Sequence, residues 1–120
     1  MDRKALIRQY KETRRPMGVY RVHNTRDDRS FVGVSRDLPS ILNRNRLQLE
    51  TGGHQNRSLQ HDWTTLGAEA FAFEILDELS VPEQPDYDPT DDLRVLESLW
   101  LDRLQPYDAR GYNTRPKSAG

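Results

Sequence analysis

The chain has 120 residues, no cysteine and a formal net charge of −1, a length that supports one domain around one core. Apolar residues make up 34% and charged residues 31%, yet the tryptophans, tyrosines, leucines and valines argue against a disordered chain. The missing thiols exclude a disulfide scaffold, a thiolate zinc site, an iron–sulfur cluster and a cysteine nucleophile. No apolar run approaches the roughly 18 residues of a membrane span, and the charged opening stretch lacks the apolar core of a secretion signal, so a cytoplasmic protein without a membrane partner is expected.

Residues 2–14 read as a short basic amphipathic helix with Leu6, Ile7 and Tyr10 on one side, ended by Pro16 and Gly18. The runs Gly18–His23 and Ser30–Ser35 read as strands, and the polar segment between them makes the pair a β-hairpin. Asp37 is placed to cap a helix that carries Pro39 in its first turn and runs to Glu50, where Thr51-Gly52-Gly53 breaks it. A further helix spans Asn56 to Leu66, stopped by Gly67. Phe71–Leu76 reads as a third strand. Residues 81–92 hold three prolines and five acids and form a loop. Asp91 or Asp92 then caps a last helix to Leu104, which Pro106 ends, before a polar tail over 115–120. The expected order is α-β-β-α-α-β-α, with a basic N-terminal helix over 1–16 and one domain over 17–114.

Charge is balanced overall but not along the chain. Residues 1–46 carry twelve Lys/Arg against five Asp/Glu, whereas residues 62–108 carry two against thirteen. Such asymmetry suits one basic face that follows a phosphate backbone, although an ordinary solvated surface accounts for it equally well. In the last helix Leu93, Leu96, Leu99, Trp100, Leu101 and Leu104 form an apolar arc, and Glu97 falls inside it. A carboxylate facing a core is costly unless it is paired or binds a cation. Tyr20 lies mid-strand, where packing is the ordinary role. His54 lies in a polar loop before a helix, and Arg36, Arg44 and Arg46 cluster around the preceding helix. His23 and His61 have no metal-ligand spacing with His54.

Taken in order, these pieces resemble the GIY-YIG nuclease family. They are Gly18-Val19-Tyr20, then Phe31-Val32-Gly33 eleven residues beyond Tyr20, Ser35-Arg36-Asp37-Leu38, Gly53-His54-Gln55-Asn56, Leu59-Gln60-His61-Asp62-Trp63, Gly67, Phe71–Leu76, Glu97 with Trp100, and Gly111-Tyr112-Asn113. No single piece is specific, but their order and spacing across residues 17–114 are. The Asn-containing loop, the Gln-X-X-Trp helix and the closing Gly-Tyr-Asn are most similar to the homing-endonuclease type. The resemblance implies a small α/β (α+β) domain: a three-stranded antiparallel sheet flanked by helices. It implies hydrolysis of DNA phosphodiester bonds with one Mg²⁺ or Mn²⁺. Tyr20 would activate or orient the attacking water, Glu97 would hold the metal, and His54 and Asn113 would lie near the site. Arg21, Arg36, Arg44, Arg46 and Asn56 are the residues expected to contact DNA.

Three positions depart from the family pattern. Phe31 stands where the family has a tyrosine. Ile41 stands where it has its catalytic arginine, eight residues after Gly33, and Asn45 where it has a helix histidine. An isoleucine cannot stabilise phosphoryl charge. Either Arg44, one turn along the helix, takes the arginine's place, or the domain is a catalytically silent nucleic-acid-binding or regulatory module. The first reading, an endonuclease of DNA repair or processing, is the one the retained Tyr20, His54, Glu97 and Asn113 favour. A protein-interaction role for the acidic loop rests on charge alone. The chain would act as a monomer or homodimer.

Overall fold

The structure is a computed structural model, and it describes residues 2–5 and 15–116. Of the helix expected over 2–14, residues 3–5 are helical and the rest lie outside the described residues. Three strands, β1 (Gly18–Asn24), β2 (Arg29–Ser35) and β3 (Phe71–Glu78), form one sheet in the order β2-β1-β3. Both pairings are antiparallel. Among the described residues beyond Arg15, the α-helices are α1 (Leu38–Glu50), α2 (Arg57–Leu66) and α3 (Thr90–Leu104). Among the described residues no helix is long and apolar enough to cross a membrane.

The hairpin turn is built by Asn24, a fully buried residue at the end of β1. Its side-chain oxygen accepts from the backbone N–H groups of Arg26 and Asp27 at 3.0 and 3.1 Å, the arrangement that makes Asn a turn former. Asp28 then takes the left-handed conformation, at φ 55°. Asp37 caps α1 by accepting from the Ser40 N–H at 3.2 Å. Asn56 caps α2 by accepting from the Leu59 N–H at 3.0 Å, and Gly67 ends that helix at φ 91°. These ends coincide with the sequence expectation. The start of α3 does not. It begins at Thr90 after Pro89, and Asp91 and Asp92 lie inside its first turn. The Asp88 side chain accepts from the Thr90 N–H at 3.0 Å, and the Pro89 carbonyl accepts from Leu93 at 2.8 Å.

Side chains alternate across a strand, so Tyr20, Val22 and Asn24 share one face of β1 and Arg21 and His23 the other. Val22 joins Leu49 of α1, Leu59 and Trp63 of α2, Phe71 of β3 and Tyr112 in the core. The Trp63 and Phe71 rings sit 5.3 Å apart. Helix α3 lies against β1 and β2, and the Trp100 indole donates to Asp77 of β3 at 3.0 Å. Arg29, Asp62, Tyr112 and Asn24 form a polar network at the edge of this core. Tyr112 donates to Asp62 at 2.7 Å and accepts from Asn24 at 3.0 Å. Arg29 pairs with Asp62 at 2.8 Å and lies over the Tyr112 ring.

Candidate active site

Tyr20 occupies the central strand and is buried, with 6% of its surface exposed. Its cross-strand partner is Gly33, and the tyrosine ring lies across that glycine. A Cβ at position 33 would stand 2.6 Å from the Tyr20 hydroxyl and 2.8 Å from Cζ. The glycine of the second motif is therefore required by the ring of the first, a close-approach role. Burial pushes the Tyr20 phenol up from its ordinary pKa, the amide of Asn45 opposes that shift, and the negative charge of Glu97 adds to it. The phenol and the Glu97 carboxylate thus lie within electrostatic reach of each other.

Tyr20 opens onto a cleft of about 460 Å³ that it shares with Phe31, Ile41, Arg44, Asn45 and His54. Ile41 and Arg44, three residues apart on α1, stand on the same wall. His54 is buried at 8% exposure, and its ring meets Phe31 edge-on at 5.4 Å. Both its ring nitrogens are engaged. Nδ1 accepts from the Asn56 backbone N–H at 3.0 Å, and Nε2 lies 2.6 Å from the Asn45 side-chain oxygen. An imidazole accepting at Nδ1 carries its proton on Nε2, so Nε2 donates to Asn45. Burial pushes His54 below its ordinary pKa and keeps it neutral. The loop before α2 is held further by Gln60, which accepts from the His54 N–H at 3.1 Å and donates to the Leu49 carbonyl at 3.0 Å.

Glu97 borders a second groove, of about 320 Å³, together with Arg36, Arg94, Ser35 and Thr90. Glu97 is half-buried, whereas Leu99, expected in the same apolar arc, is exposed. Among the described residues it makes no hydrogen bond or ion pair. Arg36 donates to Asp88 at 3.0 Å and to Thr90. A third hollow, of about 560 Å³, adjoins the first through His54 and Gln55 and is bordered by Arg57 and His61.

The remaining expected site residues are placed elsewhere. Arg21 lies on the opposite face of β1 from Tyr20 and donates to Glu74 at 3.1 and 3.2 Å. Arg46 stacks over the Phe73 ring at 4.2 Å. Asn56 borders the cleft, but its oxygen caps α2 and its amide donates to the Tyr112 carbonyl at 2.7 Å. Asn113 accepts from the Val32 N–H at 2.9 Å and donates to the Val32 carbonyl at 2.8 Å. Its side chain completes the hydrogen bonding of β2 and fastens the C-terminal segment there. Among the described residues no group of three or more His, Cys, Asp or Glu is arranged to hold a metal ion. Arg94, which borders the Glu97 groove, stands out only in three dimensions; Asn45, a departure from the family pattern in the sequence, bonds to His54 at 2.6 Å.

Neither a protein-family model nor a curated protein sequence matches the chain. Solved structures do. The catalytic domain of the homing endonuclease I-TevI is 26% identical, with a TM-score of 0.67 over 83% of this chain and 99% of that one. A point-mutant form of the same intron endonuclease domain is 25% identical, also at a TM-score of 0.67, over 88% of this chain and 99% of that one. The sheet order, the helices flanking it and the order of the motifs along the chain agree with that likeness, and the chain has the GIY-YIG catalytic-domain fold.

Proposed function

We propose that the chain is a DNA endonuclease that hydrolyses phosphodiester bonds with the help of Mg²⁺ or Mn²⁺. The observation that carries this reading is the half-buried Glu97 carboxylate, which makes no hydrogen bond or ion pair among the described residues and borders a groove of its own beside the Tyr20 cleft, in a fold shared with an endonuclease domain. A half-buried carboxylate that makes no hydrogen bond or ion pair among the described residues suits a small hard cation. Mg²⁺ usually keeps several waters and takes one or two carboxylates together with substrate phosphate, so a single glutamate fits. When bound, the cation supplies positive charge to the phosphate and to the leaving oxygen.

The chain's own residues divide the remaining work. Glu97 anchors the cation. Tyr20 presents its oxygen at the floor of the cleft, where it orients the attacking water. Arg44 brings a guanidinium to the wall where Ile41 offers only hydrocarbon, and there it stabilises phosphoryl charge. His54, neutral and engaged at both nitrogens, serves as a support of the site and not as its base. Arg57 at the adjoining hollow and Arg94 beside Glu97 extend a cationic path for the backbone. DNA processing or repair in the cytoplasm is the setting this activity fits.

Supercoiled plasmid and branched DNA are the substrates that test it, with Mg²⁺ and Mn²⁺ supplied separately. Cleavage that requires the cation and disappears in Glu97→Ala is expected; equal cleavage by that variant overturns the reading. Ile41 at the arginine position favours a second reading, a silent binding module. That reading predicts salt-dependent DNA binding without cleavage, unchanged by Glu97→Ala.

A further inference from the structure

The hollow of about 560 Å³ that adjoins the Tyr20 cleft through His54 and Gln55 is lined by Gly53, Arg57 and His61 and by no acidic residue. Arg57 and His61 stand four residues apart on α2, so they share a face, and both are exposed. Among the described residues neither they nor Gln55 make a side-chain hydrogen bond or ion pair. Arg21, Arg29 and Arg36, by contrast, are occupied by Glu74, Asp62 and Asp88. Arg57 therefore borders the hollow with its donors unspent. Gly53 is the second observation. Its neighbour Gly52 turns the chain at φ 81°, but Gly53 lies outside the left-handed region. A Cβ there would meet only Thr51 Oγ1, at 4.0 Å. The Gly53 N–H donates to the Gln48 carbonyl at 2.8 Å, a bond that leucine would make equally well. A glycine on an open wall, required neither by its backbone nor by its neighbours, suits the close approach of a chain from outside. Gln60 ties this loop to the end of α1, so the wall is formed before anything binds.

We propose that this hollow is a subsite for the DNA sugar–phosphate backbone beside the bond that is cut: the strand passes against the bare Gly53 wall, and Arg57, with His61 next to it, grips a phosphate there. The proposal deepens the endonuclease reading and rests on it for the identity of the polymer. A guanidinium offers paired donors that match the oxygens of a phosphate. A contact of this kind carries no sequence information but fixes the register of the strand. The border shared at His54 and Gln55 makes the path from cleft to hollow continuous. A phosphate held at Arg57 thus decides which phosphodiester bond comes to rest against Tyr20 and Arg44.

Fluorescence anisotropy on duplex DNA in EDTA tests this without any need for cleavage. Gly53→Leu adds no charge and meets no obstacle in the free protein, so its thermal midpoint should stay within about 2 °C of wild type. It should nevertheless weaken DNA binding about 10-fold, because its side chain fills the path of the strand. Arg57→Ala should weaken binding about 10-fold, by the same factor on A·T-rich and G·C-rich duplexes, and lower the salt slope by about one. In a series of duplexes with one neutral methylphosphonate each, there should be one position at which Arg57→Ala has no further effect. Wild-type affinity in Gly53→Leu, a melting point below the stated range, an unchanged salt slope in Arg57→Ala, or a loss that differs between the two duplexes each overturns the proposal. If DNA is bound with these effects but never cut, the function reading fails alone. If DNA is cut and both variants bind it like wild type, the subsite fails alone.

Discussion

Replacing Gly33 by alanine puts the pairing of the two strand motifs to a quantitative test. The new methyl carbon would stand 2.6, 2.8 and 2.9 Å from Oη, Cζ and Cε1 of Tyr20, whereas ordinary contacts begin at 3.4 Å. The ring must therefore retreat by about 0.8 Å, into a core that tolerates little movement. Overpacking of this kind costs about 1–3 kcal/mol, and a displacement near 1 Å at a reacting group costs on the order of 10²-fold in rate. Urea melts followed by circular dichroism measure the first quantity, and single-turnover plasmid cleavage the second. A double-mutant cycle with Tyr20→Ala locates the cause. Without the ring, Gly33→Ala should change stability by less than about 0.5 kcal/mol, the range of substitutions that meet no obstacle. An equal cost in both backgrounds, or full cleavage by Gly33→Ala, refutes the argument, because the strand backbone and not the tyrosine would then require glycine.

Other expectations follow from the same geometry. Tyr112→Phe removes the donation to Asp62 and the acceptance from Asn24, so unfolding by denaturant should show a loss of about 1–3 kcal/mol. The Tyr112 hydroxyl is pushed up to about 12, first by burial. Its contribution is therefore complete below pH 10 and declines as pH rises toward 12, and Tyr112→Phe should flatten that part of the stability profile. Burial holds His54 below its ordinary 6.5, so its neutral form supports the fold above that pH. Stability should fall as pH drops below 6.5, and His54→Gln should lessen the slope in thermal melts. Arg44→Ala should slow cleavage about 10²-fold or more. Arg21→Ala, whose partner Glu74 lies across the sheet, should leave DNA affinity and its salt dependence unchanged in fluorescence anisotropy.

The elements were legible because their signals are local. Asp37, Asn56 and Gly67 mark helix ends through groups within four residues of themselves, and the period-two runs around Tyr20 and Phe31 announce strands. Glu97 stood out because a helix face has a fixed angular period. The supports of the site are not local. Asn45 acquires its meaning from His54 across a loop. Asn24 depends on Tyr112, 88 residues away. Arg29 needs Asp62, 33 residues on. Arg21 shows how strand alternation hides a partner: a basic residue beside Tyr20 in sequence projects to the opposite face of the strand, where it pairs with Glu74. Asp91 and Asp92 resembled caps by residue type, but Pro89 and Asp88 settle the helix start two or three residues earlier.

The hold of Asn113 on Val32 has a consequence for self-association. β2 is a border strand, and an unprotected border is an invitation for another chain to extend the sheet. The Asn113 amide imitates a neighbouring peptide unit at Val32. Gly111 bridges to Ser30, whose carbonyl takes the Tyr112 N–H at 2.9 Å. The closing Gly-Tyr-Asn thus works as a built-in shield, and a protein cut off before it would present a bare ribbon edge prone to stack into insoluble assemblies.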